Sequence, residues 1–205
     1  MNKTNYNEKM KEILKSLAGK KAKLLLHSCC APCSSYVLEY LAEYFDITIY
    51  FYNQNIHPRE EYEKRFEELK IFTKDIYKGK INIIAEEYNP SEFFSAINGY
   101  EKSKEGEGRC SLCYHMRLNK TAQKAKIEGY EYFGSVLTIS PHKRADRINI
   151  IGENLSKKYG VKFLYSDFKK NNGFKRSLEL SKEYDLYRQQ FCGCSFSKRD
   201  EIECL

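Results

Sequence analysis

The sequence predicts an α/β fold, a Rossmann-like parallel sheet of about five strands with helices on both faces. Two observations carry that reading. Short β-rich runs alternate with helical stretches about five times, and repeated strand, helix, strand units pair in parallel through crossover helices. The residues with unusual chemistry also follow the strand-like runs, at the sheet edge where ligand-binding loops converge. The 205 residues with 41% hydrophobic composition can bury one substantial core, so a single α/β domain over 1–205 is expected.

The chain opens on an amphipathic helix with Met10, Ile13, Leu14 and Leu17 on one face and Gly19 as its stop. Strand-like runs follow at KLLLH (23–27), ITIYFY (47–52), INIIAEE (81–87), EYFGSVLTIS (131–140) and VKFLYSD (161–167). Between and after them the helical pattern covers 34–45, 58–77, 91–98, 110–128, 144–159 and 177–186. Pro58 suits a first helical turn, and Gly129 and Gly160 suit helix ends. The charged, glycine-containing stretch NGYEKSKEGEG (98–108) leads straight into a cysteine motif and reads as a mobile lid rather than a domain boundary.

The N-terminus lacks the long apolar stretch of a signal peptide or membrane span, so no membrane partner and a cytoplasmic location are expected. Eight cysteines in a reducing compartment argue for metal or redox chemistry over structural disulfides. Thirty-five Lys and Arg against 28 Asp and Glu give a formal charge of +7, a balance that suits a polyanionic partner.

Seven of the eight cysteines fall into three groups: Cys29, Cys30 and Cys33; Cys110 and Cys113; Cys192 and Cys194. Only Cys204 stands apart. Soft sulfur ligands suit zinc and iron-sulfur centres alike, and two intervening residues let neighbouring sulfurs converge. Cys110 and Cys113, at i and i+3 near a helix start, share a face, and the positive helix end is expected to lower their pKa. A zinc site built from Cys30, Cys33, Cys110 and Cys113 is one reading of the spacing. It leaves Cys29 and the C-G-C pair without a purpose, whereas more than four thiols at one crevice fit a cluster plus further chemistry. A C-x-C pair makes a strained, easily reduced disulfide, which favours a redox couple or a second metal seat.

The motifs HSCCAPC (27–33), NQNIHP followed by EEYEKR (53–65), RCSLCYHMRL (109–118), LTISPHK (137–143), DFKK (167–170) and YRQQFCGCSFS (187–197) occur together in one order. In that order they resemble the cobalamin-independent epoxyqueuosine reductases of the QueH type, over roughly residues 24 to 197. The resemblance implies a HUP-like member of the nucleotide-binding Rossmann-like superfamily that carries a 4Fe-4S cluster. It also implies the last step of queuosine synthesis, reduction of the epoxide of epoxyqueuosine in tRNA to the alkene of queuosine. Carried over residue by residue, Cys29, Cys30, Cys110 and Cys113 would hold the cluster. Cys192 and Cys194 would be a redox-active couple or bind a second, mononuclear iron, and Cys33, where family members carry cysteine or a carboxylate, would help hold that metal. Gln54 departs from the pattern, standing where proline is expected.

Removing the epoxide oxygen as water consumes two electrons and two protons, so an electron donor, which the sequence does not identify, is required. Asp167, His57 and His142 are the candidate acids, all at the same sheet edge, with Asp167 the leading catalytic choice. An anticodon loop carrying epoxyqueuosine would meet cationic and aromatic side chains. The candidates are Tyr187, Arg188, Arg117, Lys143, Arg144, Lys169, Lys170, Lys175 and Arg176, several of them in the basic run KKNNGFKR (169–176). Two rival functions share parts of the pattern. An ATP-using tRNA-modifying enzyme with an iron-sulfur centre would need a phosphate-cradling glycine loop after the first strand, where HSCCAPC stands instead. A zinc-stabilised RNA-binding module would use its thiols only to fold.

Overall fold

A computed structural model describes residues 4–197. Cys204, which the sequence sets apart, lies outside the described residues. Five parallel strands form one sheet in the order β3-β2-β1-β4-β5, with β1 at Ala22–His27, β2 at Phe45–Phe51, β3 at Asn82–Ala85, β4 at Tyr132–Ser135 and β5 at Lys162–Phe163. The central strand β1 is the apolar run Leu24, Leu25 and Leu26, wholly buried because helices cover both sides of it. Seven helices complete the layers among the described residues: α1 (Tyr6–Ser16), α2 (Ala31–Leu41), α3 (Arg59–Tyr77), α4 (Pro90–Ala96), α5 (Gly108–Ile127), α6 (Ala145–Tyr159) and α7 (Gly173–Glu183). Helix α2 packs with α3 and α7, while α5 packs with α4 and α6.

The chain runs outward from β1 to β3, then returns to start β4 on the other side of β1. The β1/β4 boundary is therefore the switch point at which neighbouring loops leave in opposite directions and open a crevice. The predicted strands hold in place; β1 and β2 begin earlier than the runs 23–27 and 47–52, whereas the runs 81–87, 131–140 and 161–167 shorten. The run 131–140 pairs only to Ser135, because its hydroxyl accepts from Leu137 N (3.2 Å) and caps a 3-10 turn over Val136–Ile139. The run 161–167 pairs over two residues; beyond them Asn149 takes up both backbone groups of Ser166. Helix α6 comes so close to β5 that a Cβ on Gly152 would sit 2.3 Å from the Phe163 ring, which requires glycine there.

The expected lid, 98–108, is fastened rather than free. Arg109, 4% exposed, donates to the carbonyls of Glu101 and Ser103, and Arg147 donates to the carbonyl of Gly106 (2.9 Å).

Candidate metal and redox centre

Three thiols gather in the turn from β1 to α2. The sulfurs of Cys29, Cys30 and Cys33 all lie within 4.8 Å of one another, with Cys29 and Cys30 3.8 Å apart. The turn is locked from several sides. Ser34 Oγ donates to the Cys30 carbonyl (2.8 Å), and Asn53 Nδ2, from the loop after β2, donates to the Ser28 carbonyl (2.8 Å). All seven described cysteines are free thiols.

Charge in this trio is unevenly shared. Hydrogen bonds from Cys30 and Cys33 hold Cys29 well below the ordinary thiol range, and Arg117 and Lys143 add to the effect. The same contacts then work against its neighbours, pushing Cys30 up to about 12 and Cys33 well above normal. Three adjacent thiolates need a cation among them to coexist, and a soft metal centre supplies it. The donor set therefore fits an iron-sulfur or thiolate-metal group. A zinc site made from Cys30, Cys33, Cys110 and Cys113 would leave out Cys29, the most readily ionised thiol of the group.

Arg117 of α5, 1% exposed, joins the cysteine segments. Its Nε donates to His27 Nε2 (3.1 Å) and its Nη2 to Asn53 Oδ1 (2.6 Å), and its charge faces Cys113, Cys29 and Cys192. A guanidinium only donates, so with Arg117 as its partner His27 Nε2 accepts and the ring hydrogen lies on Nδ1, facing Ser135 Oγ (2.9 Å); the Tyr52 carbonyl, 3.2 Å from Nε2, then takes no hydrogen from the ring. Burial, with Arg117 beside it, pushes His27 down to about 3, so the imidazole is neutral and suited to that acceptor role. The sequence pattern groups Arg117 with the RNA contacts; its burial and its two fixed partners make it part of the thiol site instead. The signal was available, since an arginine four residues after Cys113 on one helix must share its face.

Cys110 and Cys113 lie in the first turns of α5 as expected, but their predicted pKa direction reverses. Burial pushes Cys113 up to about 12 and raises Cys110 too, outweighing the helix end, so a bound cation is what would make them thiolates. They lie outside the tight trio, and Cys113 is linked to it through Arg117.

The third segment is strapped across α3. Arg65, fully buried and paired with Glu61 (2.7 Å), donates to the carbonyls of Cys192 (3.2 Å) and Phe191 (3.3 Å). His57 N donates to the Gly193 carbonyl (2.8 Å), and Glu68 accepts from Tyr187 N. Gly193 adopts φ +107°, and a Cβ on it would meet Arg65 Nη1 and Ile56 Cγ1 at 3.0 Å each, which is why glycine separates the two cysteines.

These segments border a cavity of about 170 Å³ lined by Cys29, Cys33, Cys192, Arg117, Lys143 and His142, among others. Burial opposes charge on Lys143, yet the sulfurs of Cys192, Cys29 and Cys33 outweigh it and hold the ammonium ionised. Asp167 is not among the lining residues. It stands in a neighbouring cleft with Lys143, Arg144 and Lys170, ion-paired to Lys169 (2.8 Å), because the chain beyond β5 turns toward α1. His57 is exposed and not among the cavity-lining residues; His142 is the candidate acid that reaches the cavity. Of the predicted RNA contacts, Arg176 is engaged by Glu39 (2.8 Å) and Arg144 by Asp146, whereas Lys170 and Lys175 are exposed. No helix among the described residues is long and apolar enough to cross a membrane.

Comparison with known proteins gives the chain a family and a fold neighbour. The family model described as epoxyqueuosine reductase QueH matches residues 24–200. An epoxyqueuosine reductase QueH of Streptococcus pyogenes is 44% identical over 202 residues, covering 96% of this chain and 79% of the relative. One from Staphylococcus aureus is 43% identical over 206 residues (95% and 84% covered), and one from Thermotoga maritima 37% over 183 residues (88% and 92%). Among solved structures, the U34-tRNA thiolase NcsA from Methanococcus maripaludis with its [4Fe-4S] cluster shares the fold at a TM-score of 0.53 and 16% identity, covering 95% of this chain and 67% of that one.

Proposed function

The chain belongs to the epoxyqueuosine reductase QueH family, and from that premise we propose that it reduces the epoxide of epoxyqueuosine in tRNA to the alkene of queuosine. The observation that carries the reading is the convergence on Arg117 of thiols from three separate segments, at the sheet edge where an α/β fold binds its ligand. The reaction takes two electrons from a low-potential donor and two protons, breaks both epoxide C–O bonds and releases the oxygen as water.

Cys29, Cys30, Cys110 and Cys113 would hold a 4Fe-4S cluster, which when bound supplies electrons one at a time. Cys33 and Cys192 line the cavity, where with Cys194 they would seat a second, mononuclear iron that supplies Lewis acidity; a dithiol couple at Cys192 and Cys194 is the other use of that pair. The rest of the chemistry falls to side chains of the chain itself. The Lys143 ammonium, held charged among Cys29, Cys33 and Cys192, stabilises negative charge on the epoxide oxygen as it departs. His142 on the cavity wall delivers a proton. Asp167, the acid the sequence favours, is held by its ion pair with Lys169 in the adjoining cleft and takes no direct part at the epoxide. Lys170 and Lys175 supply exposed positive charge for the tRNA backbone. One catalytic domain at work on tRNA in the cytoplasm, where thiols stay reduced, fits this chemistry.

Iron and acid-labile sulfide measured on anaerobically purified wild type and Cys192→Ser test the reading. Brown protein with several irons and sulfide is expected, with one iron lost and the cluster intact in the variant. Colourless protein with a single zinc would overturn it in favour of a folding role for the thiols.

A further inference from the structure

Gln189, in the strap just before the C-G-C pair, reaches back to the first cysteine group. Its Nε2 donates to Cys30 Sγ (3.1 Å), its side chain lines the cavity, and its Oε1 is buried without a hydrogen-bond partner. The amide orientation follows from chemistry: a metal-bound thiolate can only accept, so the NH₂ must face the sulfur and the oxygen must face away. A buried carbonyl with no donor is costly unless something that binds later supplies one. We propose that Gln189 couples the substrate cavity to the thiolates: its N–H tunes the Cys30 sulfur, and its oxygen accepts a hydrogen bond from the modified nucleoside.

The inference rests on Cys30 being a cluster ligand, as proposed above. A hydrogen bond to a ligand sulfur withdraws electron density and favours the reduced cluster, which carries one more negative charge. Losing that donor therefore moves the reduction potential in the negative direction. Losing the acceptor weakens substrate binding and leaves the potential untouched.

Two variants of the anaerobic holoprotein separate these effects. Gln189→Leu removes donor and acceptor; Gln189→Glu removes the donor and keeps an acceptor. Redox titration followed by electron paramagnetic resonance is expected to give a more negative potential for both. Steady-state turnover on tRNA carrying epoxyqueuosine is expected to give a several-fold higher KM for the leucine variant and a near wild-type KM for the glutamate variant. A leucine variant with wild-type potential, or with wild-type KM, overturns the proposal, as does loss of the iron from both variants with folding intact, since a tuning contact is not needed for assembly. A wild type that holds no cluster would instead strike at the proposed function, and this inference would fall with it.

Discussion

Arg117 Nε donates to His27 Nε2 across 3.1 Å inside the protein, and the bond fixes a buried cation where three cysteine segments meet. A neutral histidine at the end of β1 thus aims an arginine of α5, while Asn53 from the loop after β2 takes its other nitrogen. The cation balances thiolate charge that would otherwise be expensive to bury.

Removing this cation should loosen the metal group. Arg117→Met is expected to weaken iron retention by about 10- to 100-fold, the usual cost of losing a partner that orients or charges metal ligands. Arg117→Lys should behave similarly, because an ammonium cannot span His27 and Asn53 with a planar fork. Iron release to a chelator measures both, and wild-type retention in the lysine variant would sink the assignment.

Arg65 should hold the strap that carries Cys192 and Cys194. Arg65→Met removes one partner of a buried ion pair and strands two carbonyls, so a loss of about 3–5 kcal/mol in urea unfolding is expected. Cys192 should also react faster with a thiol reagent in the apoprotein. Unchanged reactivity would mean that the strap is positioned by other contacts.

Gly193→Ala should misplace the pair more selectively. A methyl group there meets Arg65 and Ile56 at 3.0 Å on a backbone with φ +107°. A stability loss of about 1–3 kcal/mol is expected, accompanied by a larger fractional loss of activity. Activity equal to wild type would show that the loop tolerates the shift.

Gln54, the residue that stands where proline is expected, should contribute the stiffness a ring would have given. Its side chain is buried, donates to the Glu87 carbonyl (2.8 Å) and accepts from Asn89 N (2.7 Å), tying the loop after β2 to the segment after β3. Gln54→Ala is expected to cost about 1–3 kcal/mol in urea unfolding, the penalty of two buried groups left unpaired.

The strand and helix pattern was legible because alternation of β-rich and helical runs is a local property, and the chemistry-bearing motifs fell at the strand ends as the fold requires. Strand ends were less so: Ser135 and Asn149 stop the β4 and β5 ladders through side-chain hydrogen bonds that periodicity does not encode. The three cysteine groups could be counted from the sequence, but the burial that raises Cys113 could not, since it depends on helices far apart in the chain. Asp167 followed its strand as predicted and still missed the cavity, because position at an edge does not fix the direction of a side chain. Arg65, Gln189 and His27 went unassigned for the same reason: each acts through a partner remote in sequence.

The most direct measurement is mass analysis of nucleosides from tRNA carrying epoxyqueuosine after a single turnover with anaerobic, pre-reduced protein. Conversion to queuosine with loss of one oxygen is expected, and none with Cys29→Ser. Unchanged epoxyqueuosine in the presence of a full complement of reduced iron and sulfide would contradict the account.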